Sequence, residues 1–252
     1  IINNYPNQGQ QRPQRQNDDL INERVTIINA DITDDNLKDS LKNYIANVYV
    51  KEKDAEESSS ESETESKSKQ DDAKLPEAIS NGLSQLGRSI DDIKSTQLVV
   101  VSASGNTARV GFYTRDNGLW AIDSSIGEVS GFVGRNGVTS NKHEGDGCTP
   151  KGIYDFGFAF GVNDNPGTSL EYRKVNSNCY WIDDPESDKY NQWVESTDIT
   201  WKSAEHLIDK VPHYNYAIAI NYNYYSVTPG AGSAIFFHVG SNPTSGCVAV
   251  SE

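Results

Sequence analysis

Short apolar runs separated by turn residues fill the chain from residue 97 onwards, and this pattern constrains the fold more than any other feature. Residues 97–102 are apolar and β-branched, and 108–114 alternate between apolar and polar positions. Asn-Gly within the turn at 116–118 is a strong hairpin signal, because another apolar run follows it. Further runs of strand length lie at 119–122, 131–133, 153–160, 216–221 and 233–239. Short strands at this spacing predict a mainly β fold, a barrel or sandwich with short helices, rather than a doubly wound α/β fold.

The residues before 96 differ in composition and are expected to lie outside this β domain. Residues 1–19, rich in Asn, Gln, Pro and Arg, predict a disordered arm, and 51–74 predict an acidic, Ser-rich linker. Neither segment can bury enough apolar area to offset the entropy of the chain. The remaining predictions are a small helical segment at 20–50 with a candidate strand at 25–29, a helix at 75–95 opened by Pro76, and a β domain at 96–252 with a short helix at 203–209.

Charge and composition narrow the classes of partner. The formal net charge of −14 argues against nucleic acid and against anionic membrane surfaces. No apolar run approaches the ~20 residues that span a bilayer. No histidine pair has metal-ligand spacing and no Gly-rich loop followed by Lys-Ser/Thr occurs, so neither a metal nor a cofactor is expected. The chain starts without Met and ends at Glu252, five residues after Cys247, which predicts a processed or truncated chain.

The last twenty residues carry the chemistry. His238 ends an apolar run, Cys247 follows nine residues later, and the residues between them favour turns. A strand, a loop and a second strand would bring the two side chains to facing ends of neighbouring strands. An imidazole there can take the proton of the thiol or stabilise the thiolate. The backbone N–H groups of Gly246 and Cys247 are candidates for binding an oxyanion, with Ser245 shaping the site. The alternative is that Cys247 is only a small buried hydrophobe.

Three blocks resemble one family. The residues TSGCV at 244–248, with His238 upstream, resemble the signature of the YkuD-type L,D-transpeptidase catalytic domain. The blocks EGDGCTPKGIY at 144–154 and WIDDP at 181–185 with YNQW at 190–193 are also similar to that family, and the likeness covers about 97–252. It implies a β-rich fold and a Cys247 nucleophile with a His238 base. It further implies a peptidoglycan stem peptide as substrate, an acyl-enzyme that reacts with an amine or with water, and a secreted or wall-associated protein.

The sequence departs from the family pattern at two positions, which indicates a divergent branch. Ser245 stands where many members have His, and Ala249 stands where many have Arg or Asn. A wall-binding module that keeps the fold but not the chemistry is therefore the alternative. A cysteine peptidase of another class ranks last, because papain-type enzymes have Cys before His. Cys148 and Cys179 could pair in an oxidising compartment, but unpaired buried thiols are preferred because nothing in the sequence fixes their Cα separation.

Overall fold

Strands dominate the described part of the chain. The computed structural model describes residues 25–30, of which it gives the backbone, and residues 75–251. The first strands are β1 Val25–Ala30, β2 Gln97–Ser104, β3 Thr107–Asp116, β4 Leu119–Ile122 and β5 Glu128–Phe132. The middle strands are β6 Val138–Thr139, β7 Thr149–Pro150, β8 Gly152–Gly161, β9 Tyr172–Lys174, β10 Cys179–Ile182, β11 Trp193–Glu195 and β12 Ala204–His206. The last are β13 Ala217–Ile220, β14 Phe236–Val239 and β15 Val248–Val250. Helix α1 is Glu77–Leu86, and 3₁₀ turns cover Ile90–Asp92, Leu207–Lys210 and His213–Asn215.

The main sheet closes on itself. Its strand order is β1-β2-β3-β5-β15-β14-β13-β8-β9, and β4 pairs with β3. Strand β1 runs parallel to β2 and also pairs antiparallel with β8, so that eight strands form a closed ring. The predicted mainly β fold is confirmed, as is the candidate strand at 25–29. The arm at 1–19, the linker at 51–74 and the helical pattern within 20–50 lie outside the described residues.

Strand β2 is buried on both faces, which explains its continuous apolar run. Val99 and Val101 point into the ring, where they join its core. Leu98 and Val100 lie on the opposite face, which is covered by α1. Full burial of such a side chain contributes roughly 1.5–3 kcal/mol.

Helix α1 is shorter than predicted. It ends at Leu86 because Gly87 adopts the left-handed conformation, with φ of 62°, and its N–H bonds back to the carbonyls of Leu83 and Ser84. The chain then forms a separate 3₁₀ turn at Ile90–Asp92, which Ser89 caps. The predicted helix over 75–95 is therefore wrong in its second half.

The aromatic residues of the middle region form a second core against the site strand. Trp181 and Phe160 pack edge-on against Phe236, with ring centroids 4.8 and 5.1 Å away. Trp181 belongs to β10, which lies between β11 and β12 in a three-stranded sheet, whereas Phe160 belongs to β8 of the main sheet. The short helix predicted at 203–209 is wrong: Ala204–His206 pair with β10, and only Leu207–Lys210 turn as a 3₁₀ helix. Pairing with a distant strand overrides the local preference.

Asn191 ties this three-stranded sheet to the chain that leads into the site. The backbone of Asn191 has a positive φ of 57°, and the residue is 1 % exposed. Oδ1 accepts hydrogen bonds from Trp181 Nε1 at 2.9 Å and from the N–H of Ala234 at 3.0 Å. Nδ2 donates to the carbonyls of Tyr222 and Asn223. One amide thus satisfies four buried or partly buried polar groups.

Asn191→Ala is expected to lower the free energy of unfolding by about 2–4 kcal/mol, because buried donors and acceptors lose their partners and the left-handed backbone suits alanine poorly. Chemical denaturation followed by tryptophan fluorescence measures the loss. The matched control is Asn178→Ala, at an exposed position just before β10. Equal stability of the two variants would contradict the assigned role of Asn191.

Candidate active site

The two strands that carry His238 and Cys247 run parallel. Phe237 pairs with Val248, and His238 pairs with Ala249. Cys247 therefore lies just before β15, level with Phe236, and His238 lies two residues further along β14. The two side chains were expected at facing ends of neighbouring strands, and this expectation is wrong in position. The loop over 240–247 carries the chain back to the start of β14 before β15 begins, so Cys247 lies near the start of β14 and His238 further along it. The predicted site strand is also shorter than 233–239, because Ala234 has φ of 51° and the strand begins at Phe236.

Both side chains line one cleft of about 280 Å³. The loop residues 242–245 form one wall of this cleft together with Arg135. The other wall comes from residues that are distant in the sequence, namely Glu205, Lys210, His213 and Tyr214. The cleft thus combines a thiol, two imidazoles, a carboxylate and two cationic side chains.

His238 is held in a tautomer suited to a base. Its Nδ1 lies 2.7 Å from the carbonyl oxygen of Val239. Because a carbonyl only accepts, Nδ1 must carry the hydrogen and Nε2 keeps its lone pair. The ring is buried beside those of Tyr214 and His213, at centroid distances of 5.5 and 5.8 Å. Burial, with a smaller contribution from His213, lowers the pKa of His238 to about 4, so the imidazole is neutral near neutral pH.

Cys247 is a protonated thiol in this state. Its side chain is 8 % exposed, and Sγ donates to the carbonyl of Ala234 while accepting from the N–H of Phe236, both at 3.3 Å. Burial raises the pKa of Cys247 to about 12, and the carboxylate of Glu205 adds to the increase. The cleft therefore contains a neutral thiol and a neutral imidazole, not a thiolate–imidazolium ion pair.

The loop before Cys247 is fixed by threonine hydroxyls. Thr244 Oγ1 donates to the carbonyl of Cys247 at 2.6 Å, and Thr149 Oγ1 donates to the same oxygen at 3.3 Å. Thr244 Oγ1 also accepts the N–H of Gly246 at 3.1 Å. The expectation for Gly246 is corrected accordingly: its N–H is engaged inside the loop, which leaves the N–H of Cys247 as the candidate oxyanion donor.

Ser245 lies in the cleft, as its expected role in shaping the site requires, and its hydroxyl contacts Arg135. Ser245 Oγ accepts a hydrogen bond from the guanidinium of Arg135 at 2.9 Å, while the carbonyl of Val239 orients His238. His213 Nδ1 also lies 3.1 Å from that carbonyl. Sequence reasoning missed Arg135 and His213, since neither has a fixed spacing to Cys247.

A family model for the YkuD L,D-transpeptidase catalytic domain matches residues 96–252. The chain belongs to this family. The comparisons of this chain with curated proteins and with solved structures found no match. L,D-transpeptidases of the YkuD family act on peptidoglycan and are generally cysteine-based.

The other cysteines are unpaired. Cys179 is buried, whereas Cys148 is only partly buried, so the disulfide that the sequence left open is not formed here. Within the described residues, no group of three or more His, Cys, Asp or Glu side chains could hold a metal ion. The described helices also include none long and apolar enough to cross a bilayer.

Gly246→Ala tests how tightly the loop before Cys247 is packed in this YkuD domain. A Cβ there would lie 3.0 Å from both the carbonyl oxygen of Cys148 and Cδ1 of Ile235, at a φ of 156°. Since backbone lies on one side, the loop must move. We expect a loss of about 1–3 kcal/mol in unfolding free energy and about 100-fold slower acylation.

Denaturation curves and the rate of acyl-enzyme formation check this pair of effects. Gly167→Ala is the matched control, because its φ of 100° penalises alanine but its Cβ would meet open space. It should lose stability and keep its acylation rate. Normal acylation by Gly246→Ala would show that the loop tolerates displacement.

Proposed function

We propose that this protein is a cysteine acyltransferase acting on peptidoglycan stem peptides. The observation that carries the proposal is that Cys247 and a neutral, tautomer-fixed His238 line one cleft. A base of this kind is what a buried, protonated thiol needs to become a nucleophile. Membership of a peptidoglycan-acting family supplies the substrate class.

The proposed acylation step moves one proton and exchanges one bond. His238 Nε2 takes the proton of Cys247 Sγ as the sulfur attacks the carbonyl carbon of the scissile peptide bond. The N–H of Cys247 stabilises the resulting oxyanion. When this tetrahedral intermediate collapses, the C–N bond breaks and His238 returns the proton to the leaving amine. The product is a thioester on Cys247.

The second step decides the reaction type. An amine or a water molecule loses its proton to His238 and attacks the thioester carbonyl, which restores the thiol. Attack by an amine makes the protein an L,D-transpeptidase, and attack by water makes it an L,D-carboxypeptidase. Both reactions begin with the same acyl-enzyme.

Mass spectrometry of the protein mixed with a peptidoglycan disaccharide-tetrapeptide tests the proposal. We expect a covalent adduct on the protein and a substrate that has lost its terminal D-amino acid. A cross-linked dimer among the products assigns transpeptidation, and hydrolysed peptide alone assigns carboxypeptidation. Absence of both adduct and cleavage would overturn the proposed reaction.

A binding module without catalysis is the second candidate, favoured by the burial and raised pKa of the Cys247 thiol. Slow alkylation of Cys247 does not separate the two candidates, because a protonated nucleophile awaiting its substrate also reacts slowly. Binding of the tetrapeptide without turnover would favour the module.

The organisation of the chain fits a protein that works outside the cell, at the wall. We propose that 96–252 is the catalytic domain and that the acidic segment 51–74 is a solvated spacer before it. Domains of this family are typically related to the cell wall, which supports a secreted or wall-associated location.

A further inference from the structure

A second cavity lies on the outer face of the main sheet, beside helix α1. Its volume is about 410 Å³, which falls within the range of about 300–1,000 Å³ that small-molecule sites occupy. Residues of α1 form one side of this cavity, and residues of β2, β3 and β5 form the other. They differ from the residues that line the Cys247 cleft, so the acyl transfer proposed above does not account for this cavity.

Gly111, on the middle strand β3, lies at the base of the cavity. It pairs with Val100 of β2 on one side and with Glu128 of β5 on the other. A Cβ at Gly111 would lie 2.7 Å from Cε2 and 3.0 Å from the hydroxyl oxygen of Tyr113, so the Tyr113 ring lies back across the glycine. Packing over a glycine explains an aromatic ring at this position. It does not explain the hydroxyl, because the ring of phenylalanine would cover the glycine equally well.

Two buried hydroxyl groups line the cavity without a hydrogen-bond partner among the described residues. They belong to Ser102 and Tyr113, which are each 5 % exposed. Burial, with a contribution from Glu128, raises the pKa of Tyr113 to about 12, so its hydroxyl keeps its hydrogen and can donate. Polar groups buried to this extent are almost always hydrogen-bonded. The two hydroxyls therefore point to a ligand that supplies the partners.

The charged groups around the cavity favour a neutral ligand. Arg109 Nε donates to Oε1 of Glu128, and the two side chains are 31 % and 25 % exposed. Glu77, at the start of α1, is exposed. Because one carboxylate is paired and the other is solvated, a charged ligand would lose its hydration without gaining a buried charged partner. Asn81 adds an amide, which both donates and accepts hydrogen bonds.

We propose that this cavity between α1 and β3 binds a neutral saccharide. The hydroxyls of a sugar ring donate and accept hydrogen bonds, as do the hydroxyls of Ser102 and Tyr113 and the amide of Asn81. The C–H groups of the sugar match the apolar side chains of Val100 and Ala78 in the same cavity. The proposal goes beyond the proposed function, because this site lies apart from the cleft and takes no part in acyl transfer.

Titration of the full chain with N-acetylglucosamine and with its β-1,4-linked trimer, followed by saturation-transfer NMR, tests the proposal. Both probes are neutral and remain soluble at high concentration. We expect saturable binding of at least one of them with a Kd of about 0.1–10 mM, which is typical of a small polar ligand. If neither probe binds saturably at about 50 mM, the hydroxyls are only hydrated and the proposal is overturned.

Tyr113→Phe and Ser102→Ala each remove one hydroxyl and so test where the saccharide binds. Each variant should bind the saccharide about tenfold more weakly, because one hydrogen bond to the ligand is lost. The midpoint of thermal unfolding should stay the same or rise, because the hydroxyl has no partner among the described residues. A purely structural role would give the opposite result, namely a lower midpoint and an unchanged affinity.

Tyr154→Phe is the matched control. The hydroxyl of Tyr154 is also partly buried, but it donates to the carbonyl of Lys151 at 2.9 Å and does not line the cavity. This variant should unfold at a lower temperature and bind the saccharide as the wild type does. Wild-type affinity in both Tyr113→Phe and Ser102→Ala would show that the saccharide binds elsewhere, which overturns the assignment to this cavity.

The saccharide can be a free molecule or one unit of a glycan strand, and the same measurement distinguishes the two. Peptidoglycan strands freed of their peptides are compared with the trimer at equal concentrations of sugar units. Tighter binding of the strands, by about tenfold or more and weakened in Tyr113→Phe, assigns the glycan strand. Equal affinity that is likewise weakened in Tyr113→Phe assigns a free saccharide.

Failure of this proposal and failure of the proposed reaction give different results. Cys247→Ala should bind the saccharide with the wild-type affinity, because Cys247 does not line this cavity. Saccharide binding without acylation by any donor would overturn the reaction alone. Acylation by a tetrapeptide that carries no sugar, together with no saccharide binding, would overturn the saccharide site alone.

Discussion

Cys247→Ala is expected to abolish acyl-enzyme formation, with a loss of more than about 10⁴-fold in turnover, because no other group in the cleft can form the thioester. The thiol is nearly fully buried between the carbonyl of Ala234 and the N–H of Phe236. Alanine removes only one small atom from this position, so the barrel should remain folded. Intact-protein mass spectrometry after incubation with the tetrapeptide donor measures the adduct.

The matched control is Cys148→Ala. Cys148 is a second thiol close to the same loop, since its carbonyl lies beside Gly246, but it does not line the cleft. Its variant should form the adduct at the wild-type rate, and circular dichroism should give the same fold for both. An adduct that persists in Cys247→Ala would remove Cys247 from the mechanism.

The sequence predicted the parts of the fold that depend on neighbouring residues. Strands β2 to β4 follow from apolar runs and the Asn-Gly at 117–118, which is a local signal. The location of His238 and Cys247 on neighbouring strands at one cleft was also accessible, because a short loop between two strands leaves few ways to arrange them. Their parallel direction was not accessible, since only the completed sheet fixes how β15 lies between β14 and β5.

What the sequence missed depends on contacts between distant segments. Glu205 enters the cleft because β12 pairs with β10, and this pairing also replaced the helix predicted at 203–209. His213 reaches the carbonyl of Val239 across a gap of 26 residues. The N–H of Gly246 looked available, but the hydroxyl of Thr244 accepts it, which only a folded loop shows. Each of these residues has an ordinary local pattern.

The site also differs from the ion pair that is often assumed for a Cys-His pair. The pKa of the Cys247 thiol is about 12, and that of the His238 imidazole is about 4. Transfer of the proton from the thiol to the imidazole in the resting site is therefore unfavourable. In the proposed reaction the proton therefore moves during the attack and not before it. A thiol that stays protonated reacts slowly with oxidants and alkylating agents, because only the thiolate reacts quickly.

His238→Gln is expected to slow acylation by about 10²–10⁴-fold, because glutamine cannot take the proton of Cys247. In the wild type the base is active only when neutral. Acylation should therefore rise as the pH increases through about 4 and stay level through neutral pH, with no step near the ordinary histidine value of 6.5. Single-turnover rates measured by mass spectrometry at a series of pH values check both expectations.

The pH dependence of folding stability gives an independent measure of the pKa of His238. Because folding lowers the pKa of His238, the unfolded chain binds the extra proton between pH 6.5 and about 4. Stability linked to His238 is thus present above that window and lost as the pH falls through it, and His238→Gln should flatten this part of the profile. His143→Gln is the control, because the side chain of His143 is 70 % exposed. If the two variants showed the same pH dependence of unfolding, His238 would not be the buried neutral base that the chemistry requires.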